Sequence, residues 1–523
     1  MKTQPCLLAS FLWLAATPRD TAAAEKPNIV VIYADDLGFG DLSCYGGHRV
    51  QTPHVDRLAK EGLRFVNGYA SSATCTPSRF SLLTGTYAFR QRGSGVLPGD
   101  AALLIKPDSV TLPSILKRAG YATAVVGKWH LGLGAKAGGQ DWNGELRPGP
   151  LEVGFDSSFI IPATPDRVPC VFVENHRVFK LDPADPIRVS YQQPLPDELT
   201  YENTDHDKLK MTSNSGHNHT VINGIGRIGH MTGGHAALWK DEEIEDVLAR
   251  RAMDFIERQK DHPFFLYYAS HDIHVPRVPA PRFVGKSGMG PRGDEIVEFD
   301  WAVGQILDAL RRNKLTQHTL VILSSDNGPV LDDGYNDGAN ELVGDHRPAG
   351  PLRSGKYSIF DGGTRVPFIV SWSGKIKPGV SQALVGQWDL LASFAALTGQ
   401  KLGDYATDSE DSLPALLGTQ PTGRQSLVEY DQRRERALRD GEWKFILPGE
   451  TTDGLGPWTQ VKIPAPGLLF NLSSDPGETN NLAPKYPERV TAMAARLAAI
   501  ETQIPHRADR VGPVTNNVDN GED

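Results

Sequence analysis

Regular patterning begins at Asn28. The run NIVVIYADD (Asn28 to Asp36) is β-branched and ends in two carboxylates, the pattern of a fully buried strand with a polar C-terminal end. In TPHVDRLAKEGLRF, from Thr52, Pro53 stands at a helix start, and Val55, Leu58, Ala59 and Leu63 recur on one face. SVTLPSILKRAG predicts another helix and YATAVVGKWHLG the strand after it. A charged helix is expected around Asp241 to Lys260, then a strand in PFFLYYASHD, a helix from about Glu295 to Arg312 and a strand in HTLVILSSDNG. Strands that alternate with helices predict an α/β fold, a large, mainly parallel mixed sheet sandwiched by helices.

The periodicity fades between about Gly132 and Lys240 and again from Pro329 to Arg353, where Gly, Pro, Asn and His dominate. Long irregular segments of this kind build binding surfaces in compact proteins. After about Gly418 the pattern changes to short strands, SLVEYD, RALRDGEWKFIL and GLLFNLSSDPGE, followed by a helix from about Tyr486 to Thr502. That predicts a smaller C-terminal α+β subdomain with an antiparallel sheet, and a loose tail after Pro505. The expected division is therefore 1–24, 25–418 and 419–523.

Composition narrows the partners. A chain of 523 residues exceeds one ordinary core, and 39% hydrophobic residues suffice to bury one. The formal charge of -9 lacks the broad basic surface that nucleic acid or an anionic membrane requires. At the N-terminus, Lys2, an apolar run from Cys6 to Ala16 and then Ala22-Ala23-Ala24 form a secretory signal pattern, and that run is too short to span a bilayer. Export to the periplasm or the extracellular space, with no membrane span, is expected. Removing residues 1–24 leaves Cys44, Cys75 and Cys170, so at least one thiol is unpaired; Cys44 and Cys170 either form a disulfide or are simply buried.

Catalytic groups in such sheets gather beyond the carboxyl ends of the strands. Four of the expected strands end there in polar clusters: Asp35-Asp36, Lys128-Trp129-His130, His271 with His274, and Asp326-Asn327. Asp35, Asp36, Asp326 and Asn327 are hard oxygen donors, suited to Ca²⁺ or Mg²⁺ rather than zinc. A cation also offsets the repulsion among clustered carboxylates. Lys128 and Lys356 offer fixed positive charge for an oxyanion, and His130 and His274 can move protons near neutral pH. In a strand, His130 would share a face with Lys128. GPLRSGKY (Gly350 to Tyr357) nearly matches a phosphate-binding loop, yet Tyr357 replaces the required hydroxyl and no strand precedes it. HDIH (His271 to His274) lacks the thiolate or glutamate partners of a zinc motif. Cys75, near a helix start with Arg79 four residues on, is expected to have a depressed thiol pKa suited to a nucleophile. A cysteine-phosphatase loop would need Arg at position 81, which holds Ser81, and a cysteine peptidase leaves the carboxylate pairs unexplained.

CTPSR followed by FSLLTG resembles the sulfatase signature, and the resemblance extends through PNIVVIYADDLGFGDLSCYG, GKWHLG, PFFLYYASHDIHVPR, SSDNGP, GKYSIFDGGTRVPFIV and LFNLSSDPGETNNLA. Among sulfatases the chain looks most like arylsulfatase A and the N-acetylgalactosamine-sulfatases. The resemblance implies an alkaline-phosphatase-like fold and formylglycine made from Cys75 by a formylglycine-generating or anaerobic sulfatase-maturating enzyme. It implies Ca²⁺ on Asp35, Asp36, Asp326, Asn327 and the residue-75 oxygen, with Arg79 holding the modified residue and Lys128 and Lys356 gripping sulfate. Asp326 would help activate the nucleophile, His274 would protonate the leaving alcohol and His130 would take a proton. The substrate implied is a sulfated carbohydrate, galactose or N-acetylgalactosamine units of a glycosaminoglycan or algal polysaccharide, with His230 and His235 at the sugar subsite. Two rival classes remain: a phosphomonoesterase or phosphodiesterase of the same superfamily, expected to carry two zinc ions and a Ser or Thr nucleophile, and a glycan-binding protein without catalysis.

Overall fold

The computed structural model describes residues 26–403 and 406–503. The expected leader at 1–24 and the tail after Pro505 lie outside the described residues.

Ten strands form one sheet. In chain order they are β1 (Asn28–Ala34), β2 (Leu63–Tyr69), β3 (Ala122–Lys128), β4 (Ser157–Ile161), β5 (Val173–Glu174), β6 (Arg177–Val178), β7 (Phe264–Ala269), β8 (Thr319–Ser325), β9 (Phe368–Ser371) and β10 (Gly379–Gly386). Across the sheet the order is β10-β2-β9-β8-β1-β7-β3-β4-β5-β6. The central run β8-β1-β7-β3-β4 is parallel throughout. Antiparallel pairs flank it, β9 with β8 and β2 on one side and β5 with β4 and β6 on the other.

Every residue of β1, β7 and β8 is buried. Successive side chains point to opposite faces, so both faces of the sheet are covered. Helices α1 (Pro53–Glu61), α4 (Ile244–Arg258) and α5 (Gly290–Arg312) pack together as one group; α2 (Cys75–Thr84), α3 (Leu112–Arg118) and α6 (Leu390–Leu397) form another. A second, antiparallel sheet follows, β11 (Ser426–Tyr430), β12 (Arg436–Asp440), β13 (Trp443–Ile446) and β14 (Leu468–Asn471), with α7 (Pro487–Thr502) packed on β12 and β13. The expected α/β sandwich with a smaller antiparallel unit is the observed fold.

Several boundaries differ. Leu63 opens β2 instead of completing the face of α1, because the chain turns out of the helix at Gly62, where a Cβ would stand 2.5 Å from the Val370 carbonyl oxygen. RALRDGEWKFIL is a hairpin, β12 and β13, reversed at Gly441 with φ 59°. The stretch expected to be irregular between Gly132 and Lys240 contains β4, whose five residues are too few to show a period. Cys44 and Cys170 are both free thiols, which removes the disulfide alternative: Cys170 is buried in the core, and Cys44 lies half-buried beside Asp56.

Candidate active site

The site forms where the central parallel strands end. β1 lies between β8 and β7, and its register pairs Ala34 with Ser325. Asp35-Asp36 and Asp326-Asn327 therefore leave adjacent strands side by side. Lys128 ends β3, one strand beyond β7, and His271 and His274 follow β7. Helix α2 adds Cys75 as its first residue and Arg79 one turn later. All ten residues of α2 are buried, so it enters the site as a core element rather than as a surface helix.

Arg79 reaches the sheet. It donates to Asp326 Oδ2 from Nη2 at 2.7 Å and Nε at 3.0 Å, and to the Lys128 carbonyl at 3.2 Å. Its guanidinium is thus committed to Asp326, not to the Cys75 thiol. Burial pushes that thiol above its ordinary range, outweighing the pull of Lys128 and Lys356. This overturns the expected depressed cysteine, since a helix start and a nearby arginine do not compensate for removing a thiolate from water.

The carboxylates are each paired at the perimeter. Lys128 Nζ makes a close ion pair with Asp35 and stands 3.9 Å from Asp326 Oδ2. Lys356 Nζ bridges Asp36 Oδ2 and Asp333 Oδ2, both at 2.8 Å, and Asn327 Nδ2 donates to Asp36 Oδ1 at 2.7 Å. Asp35, Asp36 and Asp326 each bring an oxygen within 4.8 Å of the others. Burial raises Asp35 well above the usual carboxylate range, with Asp326 adding to it, and burial also raises Asp36. On Asp326 the same burial is outweighed by Arg79 and Lys128, which hold it low. Two buried acceptors, Asp35 Oδ1 and Asn327 Oδ1, have no hydrogen-bond partner among the described residues. Hard, mutually repelling oxygens with unfilled acceptor capacity fit a divalent, oxygen-preferring cation.

Both histidines are buried. His130 has φ 53°, so the chain has left the strand after Lys128 and the expected shared face does not exist. His130 Nε2 donates to the Leu97 carbonyl at 2.9 Å, and its Nδ1 has no partner among the described residues. His274 Nδ1 donates to the Val275 carbonyl at 2.7 Å, and its Nε2 lies 4.0 Å from Asp36 Oδ2. Burial, then Lys128 for His130 and Lys356 for His274, holds both rings well below the ordinary imidazole range. Asp36, His130, Ser354 and Tyr357 are all non-glycine residues at positive φ, and each such conformation costs about 1 kcal/mol or more. Such strain concentrates at functional sites.

A cleft of about 60 Å³ opens on Cys75, His274 and Lys356 and is walled by Val96, Asp166, Arg167, His217, Ile228, Asp333 and Tyr357. Asp166 pairs with Arg167 at 2.7 Å and accepts from His217 Nε2 at 2.9 Å. Lys128, His130 and Asp326 do not line the cleft and are fully buried. His230 and His235 do not line it: His230 is bonded to Glu198 at 2.7 Å, and His235 is exposed and paired with Asp185. Sequence reasoning missed Asp166, Arg167, His217 and Asp333, which come from the two irregular stretches, where composition marked a surface but no spacing marked a residue. Tyr357 figured only as the mismatch in a phosphate loop; here its hydroxyl donates to Asp333 at 2.9 Å.

A doubly flanked parallel sheet with acidic oxygens, lysines and histidines at its strand ends defines a hydrolase centre able to hold a metal ion. The sulfatase family model matches residues 27–400. An N-acetylgalactosamine-6-O-sulfatase from Bacteroides thetaiotaomicron is 50% identical over 92% of this chain and 94% of its own length. Human arylsulfatase A is 35% identical over 98% of this chain and 94% of its own length. A solved structure from the glycosaminoglycan metabolism of Bacteroides thetaiotaomicron superposes with a TM-score of 0.88 at 50% identity, covering 92% of this chain and all of that one. The chain belongs to the sulfatase family and is a sulfuric ester hydrolase. Sulfatases generally use Ca²⁺ and formylglycine, and the acidic groups described above can hold a metal ion. Among the described residues, no helix is long and apolar enough to cross a membrane.

Proposed function

We propose that this chain is an exported sulfatase that removes 6-O-sulfate from terminal N-acetylgalactosamine or galactose units of a glycosaminoglycan, using Ca²⁺ and formylglycine made from Cys75. The observation that carries the reading is the cleft that opens on Cys75 between Lys356 and His274. Similarity to an N-acetylgalactosamine-6-O-sulfatase over nearly both full lengths supports the sugar and the position. Residues 1–24 are the proposed leader, 25–418 the catalytic unit and 419–523 the C-terminal unit, and a formylglycine-generating or anaerobic sulfatase-maturating enzyme is the proposed partner.

Calcium held by Asp35, Asp36, Asp326 and Asn327, with the oxygen on residue 75, would supply a fixed positive charge beside the reacting sulfate. Formylglycine would supply, when hydrated, an oxygen nucleophile and a second hydroxyl through which sulfate can be released. The Cys75 Sγ marks the place of that oxygen. The remaining work falls to the chain's own groups. Lys356, at the cleft, and the buried Lys128 hold sulfate oxygens and offset the developing charge. His274 has committed its Nδ1 proton to Val275, so Nε2 is the atom that faces the departing alcohol; to act as its acid the ring first takes up a second proton at Nε2, which the anionic sulfate beside it favours. His130 has committed Nε2 to Leu97, which leaves Nδ1 as the proton acceptor. Arg79 is a positioning residue that fixes Asp326 and the end of β3. Asp166, Arg167 and His217, rather than His230 and His235, face the sugar.

The test is free sulfate released from defined sulfated mono- and disaccharides. Turnover on 6-O-sulfated N-acetylgalactosamine or galactose is expected. Activity confined to phosphate esters, or to another sulfate position, would overturn the proposal.

A further inference from the structure

The HDIH stretch carries an imidazole that the sulfatase chemistry leaves unused. His274 belongs to the cleft, whereas His271 lies against Asp272 and against Glu245, brought in by α4. His271, Asp272 and Glu245 are 4%, 0% and 1% exposed. Both ring nitrogens of His271 and both carboxylate oxygens of Asp272 have no hydrogen-bond partner among the described residues. One ligand atom from each of the three residues lies within 4.8 Å of the others. Burial, and after it the neighbouring carboxyls of Glu245, Glu298, Glu295 and Asp35, raise Asp272 well above the usual carboxylate range. Four buried polar atoms without partners, in a pocket crowded with carboxyls, suit a cation.

We infer that Glu245, His271 and Asp272 form a second cation site, separate from the strand-end carboxylates, that takes a borderline divalent transition-metal ion of the zinc class. The donor set selects the ion, because an imidazole nitrogen suits zinc, whereas calcium and magnesium take oxygen. The spacing agrees. His271 Nε2 stands 3.4 Å from Asp272 Oδ1 and 3.8 Å from Glu245 Oε2. Zinc bonds of about 2.0–2.2 Å set tetrahedral neighbours about 3.4 Å apart. Burial pushes His271 down to about 3, which keeps the ring in its neutral, ligating form. The glutamate that HDIH lacks in sequence is supplied across space by α4.

The ion's place is structural. The Asp272 main-chain carbonyl accepts from the Asp35 amide at 2.9 Å, and the Ile273 amide donates to the Asp35 carbonyl at 2.8 Å. A metal on Asp272 would tie α4 to the segment after β7, which carries His274 and hydrogen-bonds to Asp35.

The test uses the full chain in a Cys75→Ala background, so that no sulfur ligand at the cleft competes for the metal. After chelation the protein is titrated with Co²⁺ and its visible d–d absorption recorded. One equivalent should bind with the absorption of low-coordinate cobalt, be displaced by one equivalent of Zn²⁺ and resist excess Ca²⁺. His271→Ala, and separately the near-isosteric Glu245→Gln, should weaken binding at least about tenfold. If His271→Ala does not fold, the calcium competition on the parent chain still decides, because cobalt at the strand-end carboxylates would yield to Ca²⁺. Absence of stoichiometric cobalt, its displacement by Ca²⁺, or unchanged affinity in a folded variant would overturn the inference.

Discussion

Around Lys444 a single ammonium touches Asp361 Oδ1 at 3.1 Å, Glu429 Oε2 at 3.2 Å and Glu478 Oε1 at 3.3 Å. Around Asp35, Asp36 and Asp326 the cations instead stand outside, Lys128 on the first, Lys356 on the second and Arg79 on the third. Both clusters are buried among strand ends and loops, and both place three carboxylates together. The first carries its cation at the centre. It also binds the second sheet, through Lys444 and Glu429, to Asp361, which in turn accepts from Tyr69 of β2 at 2.9 Å. Acceptors without hydrogen bonds occur in both, Glu429 Oε1 and Glu478 Oε1 in the first and Asp35 Oδ1 and Asn327 Oδ1 in the second, but only the first has an ammonium within 3.3 Å of all three carboxylates. A carboxylate cluster built for stability fills its own centre, whereas one built for chemistry leaves the centre to a cation from solution.

The contrast can be broken experimentally. The largest effect should follow Cys75→Ala, which removes the proposed nucleophile precursor: kcat for sulfate release should fall by about 10³-fold or more with circular dichroism unchanged. Next comes Lys444→Met, which leaves three buried carboxylates without their ammonium. Urea unfolding should show a loss of about 3–5 kcal/mol, while turnover per folded molecule stays the same. Activity lost without a stability change would put Lys444 in the wrong class. Chelation of calcium from the wild type should lower kcat by about 10²-fold, and added Ca²⁺ should restore it, but not in Asp35→Asn. Equal activity with and without chelator would refute the open-centre reading.

A smaller effect is expected at Asp41, where Arg292 binds both oxygens at 2.9 and 2.7 Å and His346 Nε2 donates at 2.9 Å. Burial acts to raise this carboxyl, but Arg292 and His346 outweigh it and bring it from 3.8 down to about 2. A depressed carboxylate stabilises the fold above its unfolded value and loses that contribution as pH falls through the folded one. The wild type should therefore lose about 2 kcal/mol from this group between roughly pH 4 and pH 2. Asp41→Asn should lack that acid-dependent step, seen as a flatter stability curve across this range.

Much of this was legible in the chain. The strands that carry Asp35, Lys128 and Asp326 are buried runs ending in polar groups, and the parallel order places those ends together. Helix α2 is different: every one of its residues is buried, so its polar and apolar positions show no face, and only its CTPSR motif identified it. His130 and Tyr357 reach their places through left-handed backbone, which breaks the alternation that sequence reasoning relies on. Asp166, Arg167 and Asp333 belong to long connections whose paths are set by the bodies they wrap, not by any local period. Glu245 shows the same limit at longer range, meeting His271 only when α4 packs beside β7.

The central claim is that Cys75 is a precursor whose working form contains no sulfur. Mass spectrometry of the peptide that holds Cys75, from protein made with its maturation enzyme and active in sulfate release, tests it directly. The account expects residue 75 with sulfur replaced by oxygen, two hydrogens lost and a carbonyl that reacts with a hydrazide; fully active protein whose Cys75 remains an unmodified thiol would contradict it.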